Sequence, residues 1–403
     1  MSTPDLEERR ESRAIAGGLD PELVRNPYVL LTPGPLSTTA GVRTAMLRDW
    51  CTWDDEYARI VQDIRGRLVQ LASARSAHEY TAVLMQGSGT FCVEAALGTV
   101  VPSFGRLLVL ANGAYGERMG LIARRLGVSH EVLRFPETEP VDPARLAEAL
   151  LADGKVTHVA VVHCETTTGM LNPLAEIATV VKTAGKRLIV DAMSSFGGIP
   201  LDAGELGVDV LISSANKCIQ GVPGFGFVIA RTHVLSACEG NARSLSLDLF
   251  DQWKTMEREN GKWRFTSPTH VVRAFATALD ELDAEGGVTA RHQRYRANHR
   301  ELVDGMTALG FRCLLEEGVQ SPIITSFLEP SEPWYTFDGF YTALKKRSFV
   351  IYPGKVSKAA TFRIGTIGDV HPATIRRLME AVQGSMGDLG AAVPVPGASP
   401  ARS

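Results

Sequence analysis

At 403 residues the chain can bury a large core and is expected to divide into more than one domain. A hydrophobic content of 45%, a charged content of 22%, a formal net charge of −3 and the lack of any Lys/Arg block exclude nucleic acid as the main partner. No run reaches the about 18 apolar residues of a membrane span, and the six cysteines (51, 92, 164, 218, 238 and 313) form no CxxC pair, so a cytoplasmic protein without metal or disulfides is expected.

Residues 1–26 mix acidic and basic side chains without an apolar stretch, which predicts a tail rather than a secretory signal. The segment around 27–50 contains LTPGPLSTT, whose prolines exclude a central strand and predict a stretch wrapped across the molecule. Gln86-Gly87-Ser88-Gly89-Thr90 opens a helix that continues FCVEAALGTVV. Short apolar runs follow at 106–112, 158–165, 187–193, 208–214 and 224–230. They alternate with helical stretches such as GERMGLIARRLG and LAEIATVVKTAG, the second ending at Gly185. That rhythm predicts an α/β fold with a doubly wound, mostly parallel sheet covered by helices. Beyond about 275 the rhythm changes to a polar helix over roughly 287–309, strand candidates RCLLEE, SPIITSFL, FVIYPG and ATFRIG, and a closing helix at about 372–384. The expected divisions are a tail (1–26), a large domain (27–280), a smaller α+β domain (281–387) and a disordered Pro/Ala-rich tail (388–403).

In open α/β sheets ligands bind beyond the carboxyl ends of the strands, and those ends carry Asn112, Tyr115, Thr166, Asp191, Ser214 and Lys217. A lysine amine forms an imine with an aldehyde, and an aspartate keeps a pyridine nitrogen protonated. Together they are what pyridoxal 5′-phosphate (PLP) asks of its protein. The glycines of the 86–90 segment free backbone N–H groups and two hydroxyls for a phosphate, although a plain Ser or Thr cap gives the same pattern. Tyr115 could stack on a ring or be an ordinary half-buried tyrosine, and Thr166 could bond a ring oxygen or only close a turn. His163 and Glu165, in or at the end of an apolar run, are read as structural. Arg363, in TFRIGTIG, has the planar fork suited to a carboxylate or phosphonate.

The phrases LLTPGPLSTT, DWCTWDDEY, MQGSGTFCVEA, LANGAYGERM, CETTTGMLNP, VDAMSSFGG, SANKCIQGVPGFGFVIA, RFTSPTHVVRAF, VIYPGK and FRIGTIG resemble the class V, fold-type I PLP-dependent aminotransferases over residues 27–385. The likeness is nearest the branch that uses 2-aminoethylphosphonate and pyruvate. It implies that Lys217 carries the cofactor as an imine and that Asp191 pairs with the ring nitrogen. It further implies that Ser88, Gly89 and Thr90 hold the phosphate with Asn216 beside them, that Tyr115 stacks, and that Thr166 bonds the 3′-oxygen. Thr266 would reach the phosphate of a neighbouring subunit, giving a homodimer with shared sites. Arg363 would bind the acidic end of each substrate, with Gly34 and Lys355 as weaker substrate candidates. The cradle, Asp191 and Lys217 are common to the family, so an alanine/serine–glyoxylate transaminase remains the alternative. A desulfurase is disfavoured by Tyr115 at the stacking position, and a non-catalytic binding module by the presence of Lys217.

Overall fold

The computed structural model describes residues 25–356 and 359–391. The two expected tails fall largely outside these residues. Within them the chain opens with a short strand, β1 (Val29–Leu30). Tyr80–Gln86 (β2), Arg106–Ala111 (β3), Ser129–Arg134 (β4) and His158–Val162 (β5) follow, then a hairpin of Cys164–Glu165 (β6) and Met170–Leu171 (β7). Arg187–Asp191 (β8), Val210–Ser214 (β9) and Phe225–Arg231 (β10) complete the large sheet. Its order is β2-β10-β9-β8-β5-β3-β4, with β10 antiparallel to both neighbours and every other pairing parallel. Strands β5 and β9 are buried along their whole length, as expected of parallel strands covered on both faces.

Two of these strands are absent from the sequence reading. Tyr80–Gln86 lies at one edge of the sheet, buried through Met85 beneath the helix Asp55–Ala72. Ser129–Arg134 is the opposite edge, a polar half-exposed strand that hydrophobicity alone does not reveal. The expected strand 158–165 breaks at His163, where the chain leaves the sheet for the β6–β7 hairpin.

In the C-terminal part, the polar helix is Gly287–Ala308 and the closing helix runs to Asp388, four residues beyond the expected 384. Ile324–Leu328 (β11), Tyr352–Pro353 (β13) and Thr361–Gly365 (β14) make a three-stranded sheet. RCLLEE is not a strand: Cys313 makes one isolated bridge to Phe327, and the acidic end enters a 3-10 turn at Glu317–Val319. FVIYPG splits, since Phe349–Val350 (β12) pairs with β1 rather than with this sheet.

The proline-rich segment does cross the molecule. Leu31 exchanges backbone bonds with Val350 and Gly365, and Asp369 N–H bonds to Ser37 O. One apolar core surrounds the large sheet and another the small one. A third cluster, with Leu36, Cys218, Tyr295, Ile323 and Ile367, joins them directly behind Lys217. Among the described residues no helix is long and apolar enough to cross a membrane, and all six cysteines are free.

Candidate active site

The parallel strands β2, β9, β8, β5 and β3 all end at one edge of the sheet. The turns that follow converge on a cavity of about 200 Å³. Of the residues singled out in the sequence, Ser88, Gly89, Thr90, Tyr115, Asp191, Asn216 and Lys217 line it. Gly34 approaches from the proline-rich strap that crosses the molecule, Thr166 from the turn between β6 and β7, and Arg363 from the small sheet, none of them lining the cavity. Thr266 lies elsewhere and is exposed.

Lys217 follows β9 in a loop held firmly from behind. Arg291 Nη1 and Tyr295 Oη both donate to Cys218 O, at 2.9 and 3.1 Å. Arg291, itself buried, is neutralised by Glu285 at 2.6 Å. The Lys217 amine donates to Pro33 O at 2.6 Å, and its pKa is lowered, chiefly by burial. Gly34, with φ of +112°, allows this approach, because a Cβ there would stand 2.9 Å from Lys217 Cδ.

Asp191 ends β8 with one carboxylate oxygen accepting from Met193 N at 2.9 Å. The other oxygen makes no hydrogen bond among the described residues. Burial raises its pKa to about 6, against the opposing pull of Met193 N–H, Lys217 and Arg118. A buried acid and a buried amine thus line one cavity, each with a single protein partner.

The helix Gly89–Val100 points its N-terminus into this cavity. Ser88 occupies the cap position but its hydroxyl makes no capping bond, so the plain-cap reading does not describe it. Gly87, at φ +112°, makes the turn, and a Cβ at Gly89 would collide with Met193 Sδ. Backbone N–H groups and hydroxyls are left facing the cavity, which suits an anion.

Glu165 is fully buried and accepts from Tyr115 N at 3.1 Å and Thr167 Oγ1 at 2.6 Å, fixing the start of the helix that carries Tyr115. Burial raises its pKa. His163 Nδ1 shares a 2.9 Å bond with Ser195 Oγ, and burial pushes its pKa down to about 4. Arg363 is buried, with Nε on Pro353 O at 3.0 Å and Nη1 on Thr166 O at 2.8 Å. Its Nη2 makes no hydrogen bond among the described residues. Lys355 Nζ lies 5.7 Å from the centre of the Tyr115 ring. Arg118 also lines the cavity, three positions after Tyr115 and so on the same helix face, a spacing that could have marked it in the sequence. Pro33 contributes through a backbone carbonyl, which residue type does not announce.

The arrangement can hold a phosphorylated heteroaromatic aldehyde: an amine for the aldehyde, an acid for a ring nitrogen, an anion-binding helix end and an aromatic wall. The profile of the family described as Aminotransferase class-V matches residues 44–331. The 2-aminoethylphosphonate–pyruvate transaminase of Syntrophobacter fumaroxidans is 64% identical over 365 residues, covering 91% of this chain and 98% of that one. The transaminase of the same name from Vibrio cholerae is 59% identical over 361 residues, covering 89% and 98%. Among solved structures, pyridoxamine–pyruvate aminotransferase from Mesorhizobium loti superposes with a TM-score of 0.82 at 24% identity, covering 92% of this chain and 94% of that one. Ureidoglycine–glyoxylate aminotransferase from Bacillus subtilis gives 0.83 at 21%, covering 93% and 97%. At these identities the two structures speak for the fold alone.

Proposed function

The chain belongs to the class-V aminotransferase family, and we propose that it moves the amino group of 2-aminoethylphosphonate to pyruvate, giving phosphonoacetaldehyde and L-alanine. The observation that carries this reading is the convergence of Lys217, Asp191 and an uncapped helix N-terminus on one cavity, in a chain 64% identical to a transaminase of that name.

The cofactor in this reading is PLP, and the residues present fit it. Ser88, Gly89 and Thr90 would hold the phosphate with Asn216 beside them, Tyr115 would wall the ring and Thr166 would bond its 3′-oxygen. When bound, PLP supplies the aldehyde that takes up the amine and the ring that accepts the electron pair left after proton removal. Asp191 would hold the proton on the ring nitrogen, for which its single protein hydrogen bond leaves an oxygen available. Lys217 Nζ would hold the cofactor's aldehyde and, once released from it, would serve as the general base and acid of the proton transfer. The lowered pKa of this amine enlarges its neutral, basic fraction. Arg363, its orientation fixed by Pro353 O and Thr166 O, presents the rest of its fork to the phosphonate of one substrate and the carboxylate of the other.

A homodimer with Thr266 reaching the neighbouring site, a cytoplasmic location and a division near residue 280 into large and small domains complete the proposal. The two apolar cores support that division. Incubation with pyruvate and either 2-aminoethylphosphonate or L-serine, followed by quantification of L-alanine, tests the function. Alanine formed with the phosphonate supports it, whereas alanine formed with serine alone overturns it.

A further inference from the structure

Arg118 has no part in the reaction as drawn above, yet it is aimed at the site. It lies on the helix Ala114–Arg125, half-buried, and lines the same cavity as Lys217. Its Nη1 donates to Thr90 Oγ1 at 3.1 Å, and its guanidinium carbon stands 4.8 Å from the centre of the Tyr115 ring. No carboxylate forms an ion pair with it among the described residues; the neighbouring Glu117 is engaged by Arg134 instead. Among the described residues Lys217 is the only other cation lining the cavity, and its amine is tied to Pro33 O.

The charge balance makes this position informative. A phosphate monoester carries about −1.5 to −2 charges near neutral pH. The cradle of Ser88, Gly89 and Thr90 answers it with hydroxyls and N–H dipoles but no formal charge. A guanidinium has nitrogens enough to keep Thr90 Oγ1 with one and reach an anion with others.

We propose that Arg118 is the cationic arm of the phosphate cradle: it orients the Thr90 hydroxyl and binds the cofactor's phosphate as its formal counter-charge. This inference rests on the PLP reading, and its test separates the two. The full-length chain, freed of cofactor by dialysis, is titrated with PLP and with pyridoxal, the same aldehyde without the phosphate, and the dissociation constants are read from absorbance. Arg118→Met is expected to weaken PLP by about tenfold to a hundredfold, as loss of a charge-assisted bond implies, while pyridoxal binds as in the wild type. Arg118→Lys, which keeps a point charge, recovers part of the preference for PLP and carries the test should the methionine variant not fold. Unchanged PLP affinity in both variants, or an equal loss for both ligands, overturns the proposal, the second outcome making Arg118 only a prop for Tyr115. A wild type that binds neither ligand overturns the PLP reading itself, before any variant is compared.

Discussion

Lys217 and Asp191 are groups whose charge states burial opposes, and that opposition has measurable consequences. The Asp191 carboxyl in the cofactor-free protein keeps its proton to about pH 6, whereas an unfolded aspartate releases it near its ordinary value of 3.8. Its contribution to stability is therefore complete below about pH 4 and is lost as the pH rises through 6, a loss on the order of 3 kcal/mol. Asp191→Asn cannot ionise and escapes that loss. The melting temperature of the cofactor-free variant should accordingly rise relative to wild type between pH 4 and 7, and a constant difference would remove the carboxyl from the buried site. For Arg363→Lys, an ammonium lacks the fork that both substrate anions require. KM for 2-aminoethylphosphonate and for pyruvate should both increase; unchanged values would place Arg363 outside the site. Lys217 and Asp191 were legible because each terminates or follows an apolar run, where a charged residue is out of character. Arg118 was not, since an arginine on an amphipathic helix is ordinarily a solvated charge, and only the fold shows it turned inward to Thr90.

The elements divide between those that periodicity reveals and those that pairing creates. Strands β3, β5, β8, β9 and β10 stand out as apolar runs, so the parallel core of β3, β5, β8 and β9 and the antiparallel strand beside it could be read directly. β4 could not, because its polar edge position leaves little apolar signal. RCLLEE reads as a strand in isolation but finds only one bridging partner, at Phe327. The strap around Gly34 is the element with most bearing on chemistry, for it ties the small sheet to the Lys217 amine through Pro33 O. Gly34→Ala combines a disfavoured φ of +112° with a Cβ 2.9 Å from Lys217 Cδ. The expected cost is on the order of 1–2 kcal/mol of stability, together with a lower kcat as the amine is displaced. Wild-type melting and kcat in this variant would show that the strap does not constrain the lysine.

For the whole molecule, two cores with a small cluster behind Lys217 place the site beside both sheets, while Thr266 is exposed and is not among the residues that line the cavity. Large apolar side chains remain exposed on a single chain, among them Trp53 at 81%, Phe104 at 85% and Phe265 next to Thr266, and such exposure is what association buries. Sedimentation should show a dimer, and Thr266→Ala should weaken PLP binding without dissociating it; a monomer with full activity contradicts the shared-site account. The assignment of Lys217 and of the amine donor is tested by the absorbance spectrum of the purified protein during titration with 2-aminoethylphosphonate and then pyruvate, with Lys217→Ala as control. The expected spectrum has a band near the visible edge that the phosphonate converts to the pyridoxamine form and pyruvate restores, and that the Lys217→Ala protein lacks. A band that responds to L-serine or L-alanine but not to the phosphonate, or its persistence in Lys217→Ala, would contradict it.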